Sequence, residues 1–518
     1  MNETEYFWLT DVCDRALLSR EASPDWIAVP FLHVLREHPA ILAQYSHLFS
    51  ANPFSSRMRP EIWRNASLLR PLLFSPFGWR DIEPNDTGII GQVDILFVSH
   101  LVSAEADPDV PDFYYGRLSE YLAAEGITSM TALIDHDAWG RPKSKMRFSR
   151  PVPAARIVLP RVLRYAEEWA LLARAKQAAT EISAYRDRLT DTDERRVIDA
   201  AIRAAMSSAT VSTLRIQALI GRLCARLKPK VVIVTWEGHA WERAAFHAAR
   251  LANASTACLG YQHTIFQRHS HALMRSLGTA YDPDGLLAMG YVTAEALRNA
   301  WNEHSVPVSV YGSHRRYTGT PLPKSDAAGS QCLVIPEGLE AECLSLIDFT
   351  FRAAALLKEL RFVIRMHPVL PFDDFVHRHP GLRKLPVNVR VSTSRDIEND
   401  FAESNWALYR GSSAAVHAVL AGLRPIYISA PEELAIDPLF SLDVWRRTVS
   451  SIQELQSTIA TDEDTPATTR STEWIAARAY CEKYVISPRS EVVLDWLKRT
   501  GVAKWNIGPM EYRITGSQ

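Results

Sequence analysis

The sequence predicts an α/β protein with two doubly wound parallel sheets, one in each half of the chain. Short runs of β-branched and other apolar residues, typical of strands buried on both faces, alternate with stretches whose apolar residues recur at helical spacing. This alternation stops between Gly312 and Ser330, in a segment with glycine, proline and serine and no period, and then restarts. Alternating strands and helices indicate covered parallel sheets, and the aperiodic segment indicates a linker between two lobes.

The first half of the chain divides into an extension and a lobe. Residues 1–90 are rich in tryptophan and proline, and we expect a helical N-terminal extension packed on the first lobe. Residues 91–315 are predicted to form a Rossmann-like acceptor lobe, with residues 160–228 mostly helical. Its strand-like runs lie near 93–100, 127–134, 231–235, 256–260, 285–289 and 308–311.

The second lobe is predicted over residues 331–518, again Rossmann-like, and we expect it to bind a donor molecule. Its strand-like runs lie at 331–335, 361–366, 388–392, 405–409 and 424–429. Residues 461–472 are polar and are expected to form an exposed loop, and residues 474–498 to form closing helices. A chain of 518 residues is long enough for two such lobes and too long for one core.

Composition argues against several classes of protein. The 58 Lys and Arg residues balance 59 Asp and Glu residues, so no basic excess supports a nucleic-acid partner. The 6 cysteines form no C-x-x-C pair, which fits reduced thiols better than a zinc ribbon or a disulfide framework. No signal-peptide pattern and no run of about 18 apolar residues is present. We therefore expect a cytoplasmic protein, which could still lie against the inner face of a membrane.

The sequence contains no motif that requires a metal ion or a dinucleotide cofactor. Neither G-x-G-x-x-G nor a P-loop occurs, so other residues that follow the strands must carry the chemistry. D-x-D triplets, which can coordinate divalent cations, occur at 107–109 and 282–284, but both contain proline and are typical of turns. We expect no required metal ion and no other cofactor.

The strand ends of the second lobe carry a candidate anion site. The motif His367-Pro368 follows the second strand, where the histidine can offer a proton or a charge to a phosphate oxygen, and Arg365 emerges on the same side. The motif Arg410-Gly411-Ser412-Ser413 follows the fourth strand and leads into a helix, whose N–H groups and hydroxyls can bind an anion. Either motif alone could be a simple loop or an N-cap. Their common position at strand ends favours a shared site on one rim of the sheet.

These residues resemble the donor half of bacterial sialyltransferases. Parts of the pattern are similar to transferases of Kdo (3-deoxy-manno-oct-2-ulosonic acid) and to the CDP-glycerol phosphotransferases of wall teichoic acid. The resemblance rests on Arg365-x-His367-Pro368 and, 45 residues after His367, on Ser412-Ser413; it covers residues 331–440. It implies a GT-B-like glycosyltransferase in which the histidine and the serine pair hold the phosphate of a cytidine nucleotide. Asp396 and Glu398 are candidates to accept the ribose hydroxyls.

A carboxylate follows one strand of the first lobe. In Trp236-Glu237-Gly238-His239, the glycine can relieve the turn after the strand. The motif is similar to the acidic-acidic-glycine motif of sialyltransferases, which implies that Glu237 is the acceptor's base, although a tryptophan replaces the first acidic residue. Glu237 could instead complement the dipole of the next helix. Gln262 and His263 follow the next strand and resemble loops of Kdo transferases, which implies substrate contact.

Glu337 ends the first strand of the second lobe and is expected to face the cleft. Some Kdo transferases keep a carboxylate nucleophile near this place, so the resemblance implies that Glu337 could form a covalent sugar adduct. Glu337 could also hold the donor or acceptor through hydrogen bonds. Arg315, beside the linker, could meet an anionic acceptor or be a solvated arginine, and His269 and His271 are expected at the surface.

The resemblance predicts transfer of an acidic sugar, Kdo or another nonulosonic acid, from its CMP derivative. The acceptor would be a bacterial surface glycan or a lipid-linked molecule, as in the synthesis of capsule or lipopolysaccharide, and the catalytic residues would be Glu237, Glu337 and His367. Two alternatives stay open. One is an enzyme that transfers glycerol or ribitol phosphate from a CDP-alcohol, and the other is a non-catalytic binding protein on a decayed transferase fold.

Overall fold

The protein consists of two α/β lobes, each built on a parallel sheet. The computed structural model describes residues 1–34, 38–49, 68–75, 91–101, 111–135, 154–315 and 330–499. The first sheet has seven strands and the second has six, and every pairing between neighbouring strands is parallel. The predicted fold class, two Rossmann-like lobes that face a cleft, is therefore confirmed.

The first sheet reverses its strand order between β1 and β4. Its strands are β1 (Ile95–His100), β2 (Ser129–Ile134), β3 (Ala154–Val158), β4 (Val231–Thr235), β5 (Ala257–Gln262), β6 (Gly285–Ala288) and β7 (Val308–Val310). Across the sheet they run in the order β3-β2-β1-β4-β5-β6-β7. The central strands are buried along their length, as expected of a sheet covered by helices on both faces.

The second sheet repeats this topology and reverses between β8 and β11. Its strands are β8 (Gln331–Ile335), β9 (Arg361–Ile364), β10 (Val389–Val391), β11 (Trp406–Tyr409), β12 (Arg424–Ile428) and β13 (Arg447–Val449), in the order β10-β9-β8-β11-β12-β13. The sequence did not predict β3 or β13. Both are edge strands with an arginine, and neither carries the apolar run that marks the central strands.

Helices cover both sheets. They span Glu3–Leu17, Pro24–Ile27, Pro39–Leu42, Leu118–Ala124, Tyr165–Arg188, Thr192–Ala205, Ser208–Leu227, Ala240–Ala252, His271–Met274, Tyr291–Trp301, Glu340–Leu356, Phe372–Arg378, Ile397–Glu403, Ala414–Leu420, Ile452–Asp464, Ala467–Tyr484 and Ser490–Arg499. The predicted helical region 160–228 contains three of them, because Asp191 and Ser207 cap the second and third by accepting backbone N–H bonds. In the part of the chain that the structure describes, no helix is long and apolar enough to span a membrane.

The predicted exposed loop at 461–472 is wrong. One helix continues to Asp464 and the next begins at Ala467, so only two residues separate them. Leu455 and Ile459 lie one turn apart and are buried, which holds the first of these helices against the second lobe. Pro466 is tolerated because it precedes the first turn of the second helix, where no intrahelical N–H bond is lost.

The last two helices return to the first lobe. A Cβ at Gly290 would lie 1.9 Å from the carbonyl oxygen of Tyr484, so only glycine permits this approach of the two backbones. The final helix buries Val493 and Leu497 in a core cluster of the first lobe that also contains Phe97. The closing helices therefore hold the two lobes together, although they follow the second lobe in sequence.

The described N-terminal residues contact both lobes. The first helix packs on the long helices of the first lobe, within a cluster that includes Leu9, Ile182 and Val197. Further along, the N–H of Ala40 donates a hydrogen bond of 3.1 Å to Glu342 in the second lobe. The extension was expected on the first lobe alone, and it also reaches across the cleft.

Candidate active site

The carboxyl ends of strands from both sheets border one cavity of about 300 Å³. Lining residues closely follow strands of both sheets: among them, Glu237 follows β4, Glu337 follows β8, His367 follows β9, and Gly411 follows β11. In open parallel sheets, ligands bind where the strand order reverses, and both reversals meet here. The volume lies at the lower end of the range of about 300–1,000 Å³ typical of ligand pockets. The cavity is therefore the candidate active site.

The turn after β4 presents Glu237 to this cavity. Gly238 has a φ of +82°, which glycine tolerates, and a Cβ there would lie 2.1 Å from the carbonyl oxygen of Ala272. Trp236 is fully buried and stacks on Phe246, with 5.6 Å between ring centroids. The tryptophan that departs from the acidic motif is thus a core residue that anchors the turn.

Glu237 forms a close pair with a histidine two residues later. Nε2 of His239 lies 2.7 Å from Oε2 of Glu237. Below them, buried Glu242 accepts the backbone N–H of Glu237 at 2.9 Å and that of His239 at 2.8 Å. Burial raises the pKa of Glu242 to about 7, with His239 opposing the rise and Glu237 adding to it. The arrangement fixes the geometry of a carboxylate–imidazole pair that can take up and share a proton.

Glu337 lines the cavity from the second lobe, against the backbone of Gly411. A Cβ at Gly411 would lie 2.8 Å from Oε1 of Glu337, so the absence of a side chain leaves room for the carboxylate. Nε2 of His38, from the N-terminal segment, lies 3.5 Å from Oε2 of Glu337. Three distant parts of the chain therefore surround this carboxylate.

His367 is half-buried beside Gly338. A Cβ at Gly338 would lie 3.2 Å from Nδ1 of His367, so the glycine allows the ring to pack close. The N–H of Val369 donates to Nδ1 at 3.3 Å, which leaves Nε2 to carry the proton of the neutral ring. Burial lowers the pKa of His367, and the positive charge of Arg315 lowers it further. In the absence of an anion the ring is therefore neutral near pH 7.

The loop after β11 adds hydroxyl groups to the same cavity. Ser412 is buried, Ser413 is exposed, and both line the cavity ahead of the short helix Ala414–Leu420. His417 lies one turn further along that helix and also lines the cavity, and burial lowers its pKa to about 4. Hydroxyls and neutral imidazoles near one arginine are suitable donors for a phosphate.

Several predicted donor-site residues lie outside the cavity lining. Arg365 pairs with buried Asp400 at 2.6 Å and donates to backbone carbonyls of the loop that follows β10. Arg410 is buried between Glu342 at 2.8 Å and Glu433 at 2.7 Å. Their guanidinium groups are occupied by the protein's own carboxylates. The described residues that line the cavity likewise do not include Pro368, Asp396, Glu398 or Gln262.

Two predicted substrate residues do reach the cavity. His263 lines it, with its ring 4.4 Å from that of Tyr114, whereas the adjacent Gln262 is buried and donates to the carbonyl of Thr264. Arg315 lines the cavity and lies over the ring of Phe113, 4.6 Å from its centroid. The cation is exposed to solvent, and its contact with the Phe113 ring holds it at the cavity lining.

Two of the histidines that line the cavity were not predicted from the sequence. His269 and His271 were expected at the surface, yet both line the cavity and pair with carboxylates of the first helix, Glu3 at 2.8 Å and Asp14 at 2.7 Å. The prediction was wrong because the N-terminal helix covers this loop. A histidine-rich run, His263 to His271, was the available signal.

The described residues contain no cluster of histidine, cysteine and carboxylate groups that could hold a metal ion. Asp282, from the second D-x-D triplet, pairs with buried Arg243 at 2.7 Å and accepts backbone N–H groups, so it organises a loop. The first triplet, at 107–109, lies outside the described residues.

Comparison with known proteins gives low-identity matches to solved structures only. No family model matches the chain, and no curated protein matches it. The glycotransferase of kitacinnamycin is 13% identical, with 79% of this chain and 100% of that chain covered and a TM-score of 0.44. The glycosyltransferase SnogD from Streptomyces nogalater is 15% identical, with 79% and 100% covered and a TM-score of 0.41. A UDP-N-acetylglucosamine 2-epimerase is 12% identical, with 82% and 100% covered and a TM-score of 0.41. Sequence identities and TM-scores this low do not assign a function to this chain.

Proposed function

We propose that the protein is a glycosyltransferase that uses a nucleotide sugar. One observation carries the proposal: Glu237 of the first lobe, paired with His239 behind it, borders the same cavity as a set of side chains of the second lobe that can donate hydrogen bonds to a phosphate. The first set, Glu237 and His239, suits removal of a proton from an acceptor hydroxyl. The second set, His367 with Ser412 and Ser413, suits a leaving phosphate, on which negative charge develops.

For the donor we propose a CMP-activated acidic sugar, Kdo or another nonulosonic acid. The motif resemblance of the second lobe supports cytidine and the acidic sugar. Arg315 supports an anionic substrate, because it is the cation that lines the cavity in the described chain. The acceptor would be a bacterial surface glycan or a lipid-linked molecule, met in the cytoplasm or at the inner face of the membrane. The six cysteines are buried and unpaired, which agrees with a reducing compartment.

In the favoured route, transfer is a single inverting displacement. The acceptor oxygen attacks the anomeric carbon while its proton passes to Glu237, and the bond between that carbon and the CMP phosphate oxygen breaks. The electron pair of that bond leaves with CMP. His367 and the serine hydroxyls donate hydrogen bonds to the phosphate as its charge grows. His239 shares the proton taken up by Glu237, and Glu242 keeps both backbone amides in place.

A retaining route through Glu337 is the second mechanism. The tight space beside Gly411 and the contact with His38 hold the Glu337 carboxylate at the cavity wall. As a nucleophile, it would displace CMP and form a glycosyl ester. The acceptor oxygen would then attack the anomeric carbon, its proton would pass to a base such as Glu237, and the Glu337 carboxylate would leave. Intact-mass analysis with donor alone distinguishes the routes, since only the second leaves a sugar on the protein.

Release of CMP from matched donors tests the proposed function. CMP-Kdo, CMP-sialic acid and CDP-glycerol are supplied separately, and we expect release from a CMP-sugar with a loss of about a hundredfold or more in His367→Ala. The variant Glu482→Gln, at an exposed residue that does not line the cavity, serves as the control and should retain the wild-type rate. Release from CDP-glycerol alone would support polyol-phosphate transfer instead. Binding of CMP without turnover of any donor would indicate a non-catalytic binding protein.

A further inference from the structure

A second pocket lies beside the Glu237–His239 pair. It encloses about 290 Å³ and is lined by Pro30, Phe31, Val34, Ile41, Leu42, Tyr45 and His239. All of these residues except His239 belong to the N-terminal segment, whose function the sequence did not indicate. The segment therefore forms most of the wall of this pocket, and it also covers the first lobe.

The wall of this pocket is almost entirely hydrocarbon. The rings of Phe31 and Tyr45 pack edge to face, with centroids 5.2 Å apart, and build one side. Ile41 and Tyr45 are only half-buried, so a bound molecule can reach them. A cavity of about 150 Å³ with such a lining holds a molecule the size of benzene, and this pocket is larger.

His239 lies between this pocket and the main cavity. Its ring lines the apolar pocket, and its Nε2 lies 2.7 Å from Oε2 of Glu237, which lines the main cavity. The two cavities share no described lining residue, so a molecule that presents a hydroxyl to Glu237 would reach the apolar wall by passing the His239 side chain. The pocket is adjacent to the acceptor side of the proposed reaction.

We propose that this pocket binds the aliphatic chain of a lipid-linked acceptor, an inference that rests on the proposed function. A sugar ring in the pocket would bury hydroxyls with few partners, at a cost of about 1–3 kcal/mol for each unsatisfied group. An aliphatic chain buries only apolar surface there. Four of the lining side chains are aliphatic: Pro30, Val34, Ile41 and Leu42. Aliphatic side chains offer no ring on which an aromatic ligand could stack.

An alkyl glucoside series tests the pocket without a nucleotide. Methyl, butyl, hexyl and octyl glucoside have one head group and differ only in apolar length. Calorimetry on the full chain, below the micelle concentration, should show affinity rising by up to about fourfold per added methylene. The variant Ile41→Trp fills the pocket and should abolish this dependence, whereas the matched Ile41→Leu should keep it. The His239 ring resonances, assigned with His239→Gln, should shift with octyl but not with methyl glucoside.

Several results would overturn the proposal. An unchanged chain-length dependence in Ile41→Trp would place the alkyl group elsewhere, and no dependence in the wild type would mean that the pocket binds no chain. Phenyl glucoside binding more tightly than hexyl glucoside would assign the pocket to an aromatic group instead. CMP binding is measured in the same variants. If the wild type does not bind CMP but its affinity still rises along the alkyl series, the result would count against the proposed donor and not against the pocket.

Discussion

Oε2 of Glu237 lies 2.7 Å from Nε2 of His239, and the backbone amides of both residues donate to the buried carboxylate of Glu242. This network holds the Glu237 carboxylate at the cavity wall and fixes its orientation through a glycine turn. Because burial raises the pKa of Glu242 to about 7, the network holds a second carboxyl that titrates near neutrality.

Glu237→Gln should abolish transfer and leave CMP affinity nearly unchanged. The amide keeps the shape of the side chain but cannot take the acceptor's proton. The measurements are initial rates of transfer and CMP calorimetry, with Glu482→Gln as the control. Transfer at the wild-type rate in Glu237→Gln would move the base to another residue, and Glu337 would be tested next.

CMP binding should take up protons. The pKa of His367 lies below its ordinary value, first because of burial and then because of Arg315. A bound phosphate favours the imidazolium and raises that pKa, so the complex holds more protons than the free protein. Affinity should therefore increase as pH falls through the pKa of the complex and level off below the pKa of free His367.

Calorimetry in two buffers of different ionisation enthalpy, at about pH 6.5, measures this uptake. In His367→Asn the uptake should decrease. If His367→Asn takes up as many protons as the wild type, another group, such as His417, faces the phosphate.

Gly411→Ala should leave the fold intact and displace the carboxylate of Glu337. The added methyl would lie 2.8 Å from Oε1, at the flexible end of a side chain that can move away. If Glu337 is the nucleophile of a retaining route, the variant should lose the sugar adduct in intact-mass analysis while its thermal stability stays close to that of the wild type. An inverting enzyme should form no adduct, either in the wild type or in Gly411→Ala. If Gly411→Ala forms as much adduct as the wild type, the result would contradict the placement of Glu337.

Glu342→Gln should destabilise the protein by about 3 kcal/mol or more, because it removes one partner of a buried ion pair. Arg410 would then keep only Glu433, which is partly exposed. The free energy of unfolding from urea titration is the measurement. Arg390→Gln, which breaks an exposed pair with Glu403, is the control and should cost at most about 1 kcal/mol. If the two substitutions lower the free energy of unfolding equally, the ion pair between Glu342 and Arg410 does not have the proposed structural role.

The residues at strand ends were the part of the site that the sequence could predict. Glu237, Glu337, His367, Ser412 and Ser413 follow strands with clear apolar runs, and parallel sheets bring such positions to one edge. Within each lobe their common position follows from the sheet topology, whereas the meeting of the two sheet edges at one cavity depends on how the lobes pack.

The remaining residues depend on contacts that spacing does not encode. Arg365 and Arg410 have the charge that a phosphate needs, but Asp400 and Glu342 occupy them. His38 reaches the cavity because the N-terminal segment folds across the cleft, and nothing near it in sequence indicates this contact. The exposed-loop prediction at 461–472 failed for a related reason, since burial of Ile459 outweighed the local polarity.

A panel of CMP, CDP, UDP, GDP and ADP, each added without magnesium to the full chain in a thermal unfolding assay, tests the central claim most directly. The account predicts that CMP raises the free energy of unfolding by about 2–3 kcal/mol at roughly a hundredfold excess over its dissociation constant. The same addition should have a much smaller effect on the variant that carries Ser412→Ala and Ser413→Ala. Stabilisation by UDP or GDP, with no effect of either cytidine nucleotide, would contradict the CMP-sugar donor while leaving the two-lobed fold intact.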